Sequence, residues 1–106
     1  MTSIRKLAVE VTLKTMLIET IRNGIRYAQL KSLAKKIDDE NLARQNYRIN
    51  HEGMAVAADI MASILPGVCP AQVQSAFENI TEDVIFTYDG IDESQIEMIV
   101  QLIYKS

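Results

Sequence analysis

The chain has 106 residues, 48% of them apolar and 24% charged, with a net charge of -3. These values fit one globular domain (residues 1–106) able to form a core without metal or disulfide staples, and they exclude wholesale disorder and fibrous repeats. The one cysteine, Cys69, can form no internal bridge, which favours a reducing, cytoplasmic setting over secretion.

Charge is unevenly spread. Residues 1–50 carry ten bases against five acids, whereas residues 51–106 carry one base, Lys105, against nine acids. Such polarity bears on partners and association, not on fold.

At the N-terminus, Glu10 and Lys14 interrupt the apolar stretch that a cleaved targeting segment needs, so MTSIRKLAVEVTLKTMLI reads as mature structure. Ser3 is placed to cap a helix opening at Ile4. Ile4, Leu7, Ala8, Val11, Ile18, Ile21 and Ile25 then recur at helical spacing. Val9, Leu13 and Met16 fall on nearly the opposite side. A helix with two apolar faces must be sandwiched, either within its own fold or against another chain. Asn23 and Gly24 either end this helix or sit inside it, which leaves residues 4–37 as one helix or two.

The segment from Ile21 to Lys36 places Arg22, Arg26, Lys31, Lys35 and Lys36 in a window without an acid. On a helix these charges wrap the rod and form no single stripe. Two readings stand: a face solvated or neutralised by the acidic second half, and a surface for an anionic partner.

Asp38, Asp39 and Glu40 suit a helix N-terminus, where unpaired amides favour negative charge. The polar helix NLARQNYRIN follows. Gly53 marks a joint or a close backbone approach before MAVAADIMASIL, a window with Asp59 inside it and too short to cross a bilayer. Pro66 and Gly67 end that helix. Pro70 opens the next, with Val73, Ala76, Phe77 and Ile80 inward. Val84 to Tyr88 has strand propensity but no ladder to join, so it is read as helix or extended connection. Asp92 with Gln95 resembles a capping box for a last helix. Ile96, Ile99, Val100 and Ile103 form its core stripe, while Met98 and Leu102 point to the other side.

These elements make an all-α fold, a compact bundle of four to six helices with a long N-terminal helix. Few residues carry recognisable chemistry. His51 beside Glu52 lacks a supporting constellation and reads as a solvated side chain in a polar joint, and a single histidine with no neighbouring cysteine cannot build a zinc site. Cys69 reads as a small buried hydrophobe, with a reactive thiol at a helix N-terminus as its rival. A calcium loop with Gly90 in its sixth place would put Ile85 first and Ile96 last, neither able to ligate. No catalytic, cofactor or metal site is expected.

The expected function is that of a small cytoplasmic regulator, adaptor or inhibitor that binds a protein partner through apolar helix faces, as a homodimer, with no membrane association. Val9, Leu13, Met16, Met98 and Leu102 are its interface candidates. The alternative is a helix-turn-helix DNA binder, in which LKSLAKKI, a turn and NLARQNYRIN present Arg44, Gln45 and Arg48, supported by the bases before them. Its weak points are three carboxylates at the start of the recognition helix and a turn without glycine.

Overall fold

The computed structural model describes the backbone of residues 4–83 and 93–106, and the side chains of residues 14–80 and 95–106. Within these limits the chain is all-helical: α1 Ile4–Leu33, a 3-10 turn Ala34–Lys36, α2 Glu40–Ile64, α3 Pro70–Asp83 and α4 Glu93–Lys105. No described helix is long and apolar enough to cross a membrane. The Ser3 cap, the Val84 to Tyr88 segment and the Asp92 half of the capping box lie outside the described residues.

The Asn23–Gly24 pair does not stop α1, which runs through it to Leu33. Tertiary packing supplies the reason. A Cβ on Gly24 would overlap the ring of Phe77, so the missing side chain is the space that the α3 aromatic occupies. That contact offsets the roughly 1 kcal/mol by which glycine disfavours a helix. Beyond Lys36 the chain turns, with the Ile37 amide donating to the Ala34 carbonyl at 3.2 Å. Asp39 then caps α2, its Oδ1 accepting from the Leu42 amide at 3.0 Å, and Glu40 occupies the first turn.

Gly53 likewise proves to be no joint. NLARQNYRIN and MAVAADIMASIL are one helix, α2, and the glycine serves the second expected role, close approach. A Cβ there would lie 2.6 Å from Cε1 of Tyr27. Tyr27 faces Gly53, and Thr20 shares a groove with Ile60, so residues descending α1 meet residues ascending α2. The two helices form an antiparallel hairpin.

After Ile64 the Leu65 amide still donates to Met61 at 2.9 Å. Pro66 disfavours further helix, and Gly67 at φ 76° turns the chain in the left-handed region. α3 begins at Pro70 with the Cys69 carbonyl accepting from the Gln72 and Val73 amides.

One core joins all four helices. Ile21, Ile25, Met54, Met61, Val73, Phe77, Ile99 and Ile103 are fully buried at its centre, with Ala57, Ala58, Ala76 and Ile80 between them. The inward stripe expected for α3 is there in full, and Ile96 and Val100 pack against the cluster from α4. Polar bonds tie the C-terminus of α4 to α3 and to the turn after α2: Gln72 Nε2 donates to the carbonyls of Ile103 and Tyr104 at 3.0 and 3.3 Å, and the Tyr104 hydroxyl donates to the Pro66 carbonyl at 2.9 Å.

Candidate interaction surfaces

The basic segment divides in the folded chain. Lys31 turns inward, its Nζ donating to Glu78 Oε1 on α3 at 2.6 Å. It also stands 5.1 Å from the centroid of the Tyr47 ring, within cation–π range. Burial alone would lower its pKa, but the hydrogen bond and charge of Glu78, with a smaller contribution from Tyr47, outweigh that and raise it above the ordinary lysine value. One base of the first half is thus neutralised by an acid of the second. Arg22 is half-buried and engaged, while Arg26, Lys35 and Lys36 are exposed.

Arg44, Gln45 and Arg48 are exposed on α2, with Arg44 Nη2 donating to Asn41 Oδ1 at 2.6 Å. Lys35 and Arg44 share a shallow recess of about 320 Å³ with Ala34, Ala43 and Tyr47 at the hairpin tip. The helices that carry these bases run side by side for most of their length. A DNA-binding helix-turn-helix instead sets its two helices across each other at roughly 90–120°.

Among the apolar candidates, the side chains of Val9 and Leu13 lie outside the described residues. Met16 and Met98 are exposed, and Leu102 is half-buried against the core. The two methionines do not form one patch. Ile18 and Ile96 line a hollow of about 200 Å³ between α1 and α4, and each methionine lies two residues from one of them, roughly 200° round its helix and therefore away from that contact. Met16 instead continues the face of Thr20, Asn23 and Tyr27, at i, i+4, i+7 and i+11. That face borders the groove of about 280 Å³ between α1 and α2, whose other wall is Gly53, Val56, Ala57 and Ile60.

The two most exposed large apolar side chains among the described residues, Ile49 and Val56 at 59% and 58%, are on α2, and Leu42 and Ile60 on the same helix are 49% and 39% exposed. The first three are spaced by seven and the fourth follows by four, so all fall within about 40° of one another at 100° per residue. The signal was in the sequence as a heptad spacing. It was hidden because Met54, Ala57, Ala58 and Met61 supply a stronger inward stripe on the same helix.

Cys69 is exposed, contrary to the buried reading. Its place just before α3 puts its carbonyl on the first-turn amides, while Val68 and Val73 on either side take the core positions. His51 is not in a solvated joint either. It sits within α2, stacked on Tyr47 at 6.1 Å between centroids and 1° between planes. Its buried Nδ1 has no hydrogen-bond partner among the described residues. No group of three or more His, Cys, Asp or Glu among the described residues could hold a metal ion.

No family model, curated protein or solved structure matches the chain.

Proposed function

We propose that the protein is a small non-enzymatic regulator, adaptor or inhibitor that works by binding another macromolecule through apolar helix faces, in a cytoplasmic setting. The observation that carries this reading is the line of exposed large aliphatic side chains on α2, with Met16 exposed on α1 one turn before Thr20 of the groove. Covering such side chains is worth about 25 cal/mol per Å². The charged side chains along one side of them, Arg48, Glu52 and Asp59, select the partner. Met16, Met98 and Leu102, with Val9 and Leu13 before them, remain candidate contacts of the same kind.

The DNA-binding alternative has less support, because the side-by-side hairpin does not present α2 as a recognition helix and Lys31 is already paired with Glu78. Affinity capture from the source cell tests the two together. The expected result is a protein retained by the wild-type chain and lost by Met16→Asp or Val56→Asp variants of unchanged helicity. Retention of DNA that weakens steeply with salt and disappears in Arg44→Ala/Arg48→Ala would overturn this reading in favour of the alternative.

A further inference from the structure

The recess at the hairpin tip is built from two elements. Ala34 and Lys35 come from the 3-10 turn, and Ala43, Arg44 and Tyr47 from α2. Its volume of about 320 Å³ stands at the lower end of the roughly 300–1,000 Å³ of small-ligand pockets. The lining is mostly apolar, with Ala34 buried and Ala43 half-buried. The Tyr47 ring is already held in place: Lys31 of α1 stands 5.1 Å from its centroid, Glu78 of α3 holds Lys31 at 2.6 Å, and His51 stacks on it from one turn along α2. The two cations of the recess are uncommitted by contrast. Lys35 and Arg44 are both exposed, neither forms an ion pair among the described residues, and Arg44 uses a single guanidinium N–H, on Asn41.

We propose that this recess receives the ring of an aromatic side chain from a partner protein. The inference rests on the protein-binding reading above and adds the chemistry of one contact. Its cations favour a ring over an aliphatic group, which would meet the alanines but gain nothing from Lys35 and Arg44. The π-faces of a ring carry negative potential that a cation meets, and a guanidinium also stacks flat on them. Tyr47 adds a second ring whose position is fixed in advance, so little side-chain freedom is lost when a partner ring packs beside it. Charge balance decides against a polyanion. Glu40 lies on the same side of α2 as Tyr47 and one turn before Arg44, so the rim carries two bases and one acid. That balance suits an uncharged ring, whereas a phosphate backbone would also have to pass Asp38 and Asp39. Aromatic side chains seated in small pockets are enriched among the residues that anchor protein interfaces.

Titration of the nitrogen-15-labelled full chain with N-acetyltryptophan amide, and separately with N-acetylleucine amide, tests this by the amide signals of Ala34, Lys35, Ala43, Arg44 and Tyr47, with far-UV circular dichroism as the control for folding. The tryptophan probe is expected to move them saturably with a millimolar dissociation constant, and the leucine probe to bind at least ~3-fold more weakly. Ala43→Leu, which fills the recess, should weaken the tryptophan probe at least ~10-fold. Lys35→Met/Arg44→Met keeps the apolar stems and removes the charges, and should reduce the preference for tryptophan over leucine ~3- to 10-fold. Both positions are exposed, so this variant keeps the test decisive even if Ala43→Leu fails to fold. Absence of saturable shifts overturns the proposal, as does equal affinity for the two probes or binding that Ala43→Leu leaves intact. A DNA duplex that moves the same signals at micromolar concentration and releases them as salt is raised overturns it in favour of nucleic acid. If no shift is seen but a captured protein is still lost in Val56→Asp, the aromatic seat falls and the broader binding reading stands; shifts without any captured protein overturn that reading and, with it, the partner named here.

Discussion

Gly24 and Gly53 both lie inside helices, and each has an aromatic ring where a side chain would begin, yet the two contacts differ in how much they can give. Gly24 meets Phe77, whose ring is fully buried at the centre of the core. Gly53 meets Tyr27, which is only partly buried and borders the open groove beside the α2 stripe. The first contact locks α3 onto the hairpin. The second sets the distance between α1 and α2 while leaving one edge free to adjust. The inner side of the hairpin is therefore close-packed and intolerant of change, and its outer side borders an open groove with room to adjust.

The largest expected effect that separates the two comes from Phe77→Ala, which leaves a cavity against Gly24 and should destabilise the fold by about 4 kcal/mol in chemical denaturation. A comparable loss from Tyr27→Ala would remove the distinction. Gly24→Ala follows at about 2 kcal/mol, because the new methyl group must displace a ring that has nowhere to go, less the gain in helix propensity. At roughly 4–8 °C per kcal/mol for a domain of this size, a melting curve resolves it.

Breaking the Lys31–Glu78 pair with Glu78→Gln should cost under about 1 kcal/mol, since Glu78 is substantially exposed and the pair is screened. Its pH dependence has a definite sign. The pKa of Lys31 is raised on folding, so the stabilisation is complete below the ordinary lysine value and is lost only as the pH climbs through the raised value into strongly alkaline solution. Wild type and Glu78→Gln should thus differ at neutral pH and converge above that range. Smallest of all is Gly53→Ala, expected within about 0.5 kcal/mol of wild type, because Tyr27 can swing toward the groove and the helix gains propensity. A loss as large as that of Gly24→Ala would show the groove edge to be as rigid as the core.

Helical periodicity, the Asp39 cap, the Pro66–Gly67 stop and the Pro70 start were all legible in the sequence, because each is a local preference of a few residues for one backbone conformation or one hydrogen bond. From them came an all-helical chain and the inward residues of α3 and α4. The two interior glycines were not legible in the same way. Their local propensity argues for a break at Gly24 and a joint at Gly53, and only the rings of Phe77 and Tyr27, from distant parts of the chain, make continuous helix the lower-energy state. Cys69 and His51 were misplaced for a related reason: burial depends on which neighbouring side chain takes the inward position, and at Cys69 the valines on either side did. The exposed stripe of α2 was likewise decided by tertiary structure, since a helix with two apolar faces has no inside until its neighbours dock. The sequence by itself determined which segments are helices and which residues are apolar; packing of α1 and α3 against one face of α2 determined which apolar residues were left exposed.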